Sequence, residues 1–157
     1  MSHKLPLALL LAATLSACSP KYDWRDYRSN DAPYAVLFPA KPATQTRSIK
    51  LDQLDVNMTM SAADIDGVVF AVGSAQLADA AQAPAAVEAM KAAMVNNIHG
   101  TVTRSTPQEI DASGSNMRLI GRFLSKDRRI YQVVVIGSPQ KIEAESVDTF
   151  FSSFKLH

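Results

Sequence analysis

One cysteine, three histidines, one tryptophan and six glycines in 157 residues leave this chain few of the groups on which common chemistries depend. Cys18 has no second cysteine to pair with, so no intramolecular disulfide can form and the fold must rest on packing. Beyond the first 17 residues the histidines are His99 and His157, and neither has a neighbouring ligand at zinc spacing. No metal ion and no cofactor is expected. Glycine-rich phosphate loops, a GxSxG elbow and an HExxH pair are all missing. Charge of one sign is missing as well: 16 Lys and Arg face 15 Asp and Glu, which gives no general reason to bind nucleic acid or an acidic membrane surface. The apolar run near the start is too short for a mature spanning helix, which needs ~20 residues. With 47% hydrophobic and 20% charged residues, the chain is long enough for one core and too short for two domains.

What is present begins with a leader. Lys4 supplies a basic start, Leu5 to Ala13 form an apolar stretch broken only by Pro6, and small residues follow at Ser16 and Ala17. This is signal-peptide anatomy over residues 1–17. Leu15-Ser16-Ala17-Cys18 resembles the lipobox of bacterial lipoproteins. The resemblance implies that Cys18 carries diacylglycerol and palmitate and becomes the mature N-terminus. The membrane lipid on acylated Cys18 is then the first partner, and at ~0.8 kcal/mol per buried methylene two or three chains anchor permanently. Ser19 in place of Asp implies the outer membrane, facing the periplasm, by the sorting rule of enteric lipoproteins. Removal of the leader takes Lys4 with it and leaves equal numbers of acidic and basic side chains.

Residues 18–33 read as the lipidated cysteine and a polar tether, able to reach up to roughly 50 Å when extended. Tyr22, Trp24 and Tyr27 are unusual in a linker. They either sit among lipid headgroups or fold back onto the domain, and folding back is the favoured reading because a large ring adds much area to a small core.

Residues 34–157 read as a single domain. Tyr34-Ala-Val-Leu-Phe-Pro39 is a short strand closed by proline, and Thr44 to Lys50 is a more polar second strand. Leu54, Val56, Met58, Met60 and Ala62 alternate with mostly polar residues, the mark of a strand with one buried face. Asp66-Gly67 fits a type I′ hairpin turn, and Val68 to Leu77 returns as its partner, apolar enough to be covered on both faces. Pro84 opens a helix whose Val87, Met90, Met94 and Ile98 share one side, with Gly100 as the stop. That methionine stripe reads as a core face rather than a ligand groove. After Thr101 to Arg104 and Gln108 to Ile110, a turn is expected near Ser113-Gly114. Met117, Leu119, Gly121 and Phe123 then lie on one face of a strand, to be met by Tyr131, Val133 and Val135 across a turn at Lys126 to Arg129, at the centre of the sheet. Ser138-Pro139 looks like the start of a last helix, whose apolar side is Val147, Phe150, Phe151 and Phe154.

The order of elements predicts an α+β fold with a central, mainly antiparallel β-sheet packed by two helices. The opening Tyr34 to Pro39 with Lys41-Pro42, the return Arg129 to Gly137 and the closing Phe150 to Leu156 are similar to the Mog1/PsbP-like domain and to uncharacterised bacterial lipoproteins carrying it. The resemblance brings packing residues and no catalytic set. It implies a non-catalytic binding or accessory role in the cell envelope, by analogy of fold.

Two patterns qualify that expectation. Ser138-Pro139-Gln140-Lys141 and Ser152-Ser153-Phe154-Lys155 match the SxxK pair of penicillin-binding enzymes, so a small serine hydrolase using Ser138 and Lys141 is one alternative, although SDN and KTG are missing. A small-ligand-binding lipoprotein, with its pocket between helix and sheet, is another. Asp64-Ile65-Asp66-Gly67 begins like a calcium loop, but its twelfth position is Ala75 instead of Glu. Arg118 and Arg122 share a strand face, and Lys126, Arg128 and Arg129 lie at the adjoining turn. Together they are the candidate contact for an acidic envelope protein or an anionic glycan, or else a solvated hairpin end whose charges guard the sheet against edge pairing.

Overall fold

Alternation between apolar and polar residues dominates the chain from Leu54 onward, and the computed structural model, which describes residues 20–157, turns that pattern into a large sheet. The leader and the expected lipid on Cys18 lie outside the described residues. In chain order the elements are β1 (Arg25–Arg28), β2 (Tyr34–Phe38), β3 (Ala43–Leu51), β4 (Leu54–Ile65), β5 (Val68–Gln76), α1 (Ala83–Asn97), β6 (Thr101–Ser105), β7 (Glu109–Gly114), β8 (Met117–Lys126), β9 (Arg129–Gly137), α2 (Ala144–Ser153) and β10 (Lys155–Leu156). Seven strands form one antiparallel sheet in the order β3-β4-β5-β9-β8-β7-β6. A second sheet, β1-β2-β10, lies with α2 over one face, and α1 covers the other. The α+β expectation, a mostly antiparallel sheet with two helices, holds.

Tight turns connect most of the ladder. Asp66 and Gly67 have φ of 54° and 86°, as a type I′ turn requires, and Asp64 Oδ1 accepts the Gly67 N–H at 2.8 Å. Asp52 and Asp127 adopt positive φ in the turns that join β3 to β4 and β8 to β9, a conformation Asp tolerates better than most residues. Between β7 and β8 the turn is Ser115-Asn116, with Asn116 at φ 58°. It lies two residues beyond the expected Ser113-Gly114, because β7 continues pairing through Gly114. Helix α1 ends on His99 rather than on Gly100: His99 takes φ 49°, its N–H donates to the Asn96 carbonyl at 3.0 Å, and Gly100 N–H donates to that of Val95 at 3.0 Å. This is a Schellman end with histidine in the left-handed position.

Two core layers flank the large sheet. On the α1 side, Ala83, Ala86 and Met90 meet Leu119, Phe123, Ile130 and Val134. On the α2 side, Phe70, Val72, Tyr131, Val133 and Val135 meet Phe38 and Phe150. The expected meeting of Leu119 and Phe123 with Tyr131, Val133 and Val135 is therefore corrected. The register pairs Leu119 with Ile136, Gly121 with Val134 and Phe123 with Gln132, so the odd-numbered residues of β9 face α2. A strand buried on both faces carries no face label in its sequence.

The last helix also begins later than expected. Pro139–Lys141 form one 3₁₀ turn, Ile142 is extended, and α2 starts at Ala144, with Glu143 at its cap. Ser138 makes no side-chain cap bond. Phe150 is fully buried, with ring centroids 5.5 Å from Phe38 and 5.4 Å from Phe70, whereas Phe154 lies just past the helix and is half-buried.

Residues 20–33 lie on the domain, in line with the favoured fold-back of Tyr22, Trp24 and Tyr27, and not along an extended polar tether. β1 pairs with β2, and the Asp23 N–H donates to the Pro39 carbonyl at 2.9 Å. Tyr22 and Trp24 stack at 5.7 Å and both stand edge-on to Phe70, while the Tyr27 ring lies 5.2 Å from Phe38. Three aromatic rings set among polar residues bury enough area to hold the segment on the domain.

Candidate functional site

The five basic residues singled out from sequence do not form one patch. Arg118 makes a bidentate pair with Asp111, Nε to Oδ1 at 3.0 Å and Nη2 to Oδ2 at 2.6 Å, and this bonding raises the guanidinium pKa further above its ordinary value. Arg122 stands opposite Glu109 in the ladder, with its guanidinium 3.6 Å from that carboxylate. It also donates to the Phe151 carbonyl at 3.3 Å and lies 5.1 Å above the Phe151 ring. Arg118 thus ties β8 to β7, and Arg122 ties β8 to both β7 and α2. At the far end of the hairpin, Arg129 donates to Ser74 Oγ at 3.2 Å and Gln76 Oε1 at 3.3 Å, while Lys126 reaches the His157 carbonyl at 3.4 Å. Arg128 is exposed and makes no ion pair among the described residues. The positive potential that remains belongs to the hairpin end, Lys126, Arg128 and Arg129, beside an open hollow of about 390 Å³.

Neither SxxK pattern brings its hydroxyl to its amine. Ser138 Oγ donates to Gln140 Oε1 at 2.6 Å, and Lys141 Nζ donates to the Asp66 carbonyl at 3.3 Å, with Asp66 Oδ1 at 3.7 Å. Ser152 Oγ donates to the Thr149 carbonyl at 3.4 Å, as helix serines commonly do. A serine becomes nucleophilic only when a base takes its proton, and here the lysine at the matching position is turned toward another strand connection.

A pocket between helix and sheet, which the sequence offered as an alternative with no lining residues named beyond the methionine stripe of α1, is present. Helix α1 packs chiefly on β8 and β9 and touches β3 at its other flank, so the sheet curls around it. A cavity of about 490 Å³ lies between α1 and the strands β3 and β4, inside the roughly 300–1,000 Å³ typical of small-molecule sites. Met58, Met60, Met90 and Met94 line it, with Ile49 and Leu51. The methionine stripe of α1 therefore serves both: Met90 is buried core that also lines the cavity, and Met94 is half-buried on the cavity wall.

Cross-strand register builds the floor. Gln45, Met60, Gly73, Gln132 and Phe123 stand side by side across β3, β4, β5, β9 and β8. Gly73 leaves the space in which its neighbours lie: a Cβ there would come within 2.8 Å of Gln132 Cγ and would also strike the Met60 sulfur. Gln132 is only 6% exposed, yet its amide donates to two thioethers, Met60 Sδ at 3.4 Å and Met94 Sδ at 3.8 Å. Sulfur is a weak acceptor, and a buried amide ordinarily finds an oxygen or nitrogen partner. At the rim Arg47 is exposed and makes no ion pair among the described residues. One signal in the sequence marked the place: Gln132 is the lone amide inside the apolar run Ile130 to Ile136.

Compared with known protein families and with curated proteins, the chain matches none.

Proposed function

We propose that this chain is a lipid-anchored, non-catalytic binding protein of the bacterial cell envelope, a Mog1/PsbP-like domain carried on acylated Cys18 at the outer membrane and facing the periplasm. The observation that carries the reading is the junction between leader and domain. The lipobox ends at Cys18, and the packed chain is already under way at Lys21, whose ammonium bonds Glu143 Oε1 at 2.9 Å and holds that carboxyl below its usual range. Two peptide steps from Cys18 to Pro20 span at most about 7 Å, so the anchor has almost no slack. An antiparallel sheet with a helix on each face supports the Mog1/PsbP-like likeness, and the separate engagements of Ser138 and Lys141 speak against the hydrolase alternative.

A short anchor also orients the domain. Lys21, Glu143 and the Asp66-Gly67 turn lie at the end of β9 marked by Gly137. The Asp127-Arg128 turn lies at the other end, about 27 Å away at 3.3 Å per residue. Lys126, Arg128 and Arg129 would then be presented away from the bilayer, toward an acidic envelope protein or an anionic glycan, by a domain with no reason to meet nucleic acid. Metabolic labelling with a palmitate analogue tests the anchor. The protein should take up the label and give a mature N-terminus at Cys18 by intact mass, and Cys18→Ala should lose both. An unmodified mature N-terminus elsewhere would overturn the reading.

A further inference from the structure

The geometry points to a ligand for the cavity beneath α1: a single-chain anionic amphiphile that bears an oxygen along its chain, with its carboxylate on Arg47, its hydrocarbon among the four methionines and its chain oxygen on Gln132. This rests on the reading of the protein as a binding domain and names what it would bind. The wall selects for hydrocarbon. Thioether side chains are flexible and polarisable, and they adapt to an inserted chain better than branched residues do. Two features select against a plain hydrocarbon. Gln132, nine-tenths buried and facing the cavity, has only sulfur to accept its N–H groups, and a ligand oxygen would supply the stronger acceptor that buried amides ordinarily have. Arg47 is the cationic residue lining the cavity and is engaged by no carboxylate among the described residues. It fits an anion at the mouth, the end that stays in water.

The strand spacing separates these two polar points. Arg47 is on β3 and Gln132 on β9, three strands apart in the sheet and two residues out of row, or about 16 Å between backbones at 4.7–4.9 Å per strand and 3.3 Å per residue. Both side chains reach into the space between, so the matching oxygens belong several bonds apart on one molecule. The occupant is a diffusible molecule and not the acyl chains on Cys18. The chain enters the domain on the α2 face, where Tyr22 and Trp24 pack on Phe70, whereas the cavity opens on the α1 face of the same sheet.

The test uses residues 20–157, which carry the two core layers described above, with ¹³C-methyl methionine and three probes below their aggregation limits: 3-hydroxydecanoate, decanoate and 1-decanol. The methyl signals of Met58, Met60, Met90 and Met94 should shift saturably, with Met117, which does not line the cavity, as the internal reference. Affinity should fall in the order hydroxy acid, acid, alcohol. Arg47→Gln should weaken both acids about tenfold and leave the alcohol unchanged. Gln132→Met, close in volume and compatible with its methionine neighbours, should erase the preference for the hydroxy acid over the plain acid. Ala93→Trp, which fills the cavity from α1, should abolish all three, with an unchanged thermal midpoint for the arginine variant showing that it is folded. Absence of saturable shifts, equal affinity for alcohol and acids, or indifference to Gln132→Met would each overturn the proposal. Palmitate labelling at Cys18 is untouched by any of these results, so a failure here is separable from a failure of the anchored-lipoprotein reading.

Discussion

Phe150 is the side chain whose removal measures how the second core layer is built. It is 0% exposed on α2, its ring lies 5.5 Å from Phe38 in the small sheet and 5.4 Å from Phe70 in the large one, and Phe151 follows at 6.0 Å. Phe150→Ala therefore takes away a ring that three layers share. Buried Phe→Ala substitutions cost roughly 3–5 kcal/mol, and a site walled by two sheets and a helix has little freedom to collapse, so we expect about 4 kcal/mol. At roughly 1.5–2 kcal/mol per molar of urea, the midpoint should fall by about 2–3 M. The thermal midpoint should fall by roughly 12–20 °C, at ~3–5 °C per kcal/mol for a domain of this size. Phe154→Ala is the internal comparison: the ring is half-buried beyond the helix end, and its loss should cost only about 1–2 kcal/mol. Urea titrations followed by Trp24 fluorescence and far-ultraviolet circular dichroism give both values. If Phe150→Ala shifts stability by less than ~1 kcal/mol with an unchanged slope, or if Phe154→Ala costs as much, the three-layer packing argument is wrong.

Two further outcomes follow from individual side chains. Burial pushes the Tyr34 hydroxyl up to about 12 from its ordinary 10. Its contribution to stability is fully present below pH 10 and is lost as pH rises toward 12, because the unfolded chain gives up the proton first; the loss reaches roughly 2–3 kcal/mol. Alkaline urea titrations of Tyr34→Phe should show a correspondingly flatter decline than the parent, and parallel curves would refute the assignment. At the hairpin end, Lys126→Glu with Arg128→Glu should leave the thermal midpoint nearly unchanged, since surface changes stay within about 0.5 kcal/mol. The pair should also reduce photo-crosslinking of an envelope partner from a probe in the Asp127-Arg128 turn, most strongly at low ionic strength. Arg129 is left in place because it holds Ser74 and Gln76. Capture that survives the double reversal would move the contact elsewhere.

Much of the fold was legible because local physics wrote it into the chain. The alternation of Leu54, Val56, Met58 and Met60, the positive-φ pair Asp66-Gly67 and the spacing of Val147, Phe150 and Phe151 each constrain a single element, and each element formed. The candidate site was less legible. Arg118 and Arg122 look from the sequence like free positive charge, yet Asp111 and Glu109 neutralise them from the neighbouring strand, and a cross-strand pair leaves no fixed spacing to read.

The hairpins and the two helices with a mainly antiparallel sheet were determined by the sequence alone, since each depends on residues close together in the chain. Only the tertiary structure decided three things. It set the register of β8 against β9, because β9 is buried on both faces and a one-residue slip exchanges Val133 and Val135 for the equally apolar Val134 and Ile136. It decided where residues 20–33 pack, because the three rings of that polar segment find their partners only once Phe70 and Phe38 are assembled to receive them. It made the cavity, because Arg47, Met60, Gly73, Met94 and Gln132 come from four strands and a helix, and their meeting is a property of how the sheet curls around α1.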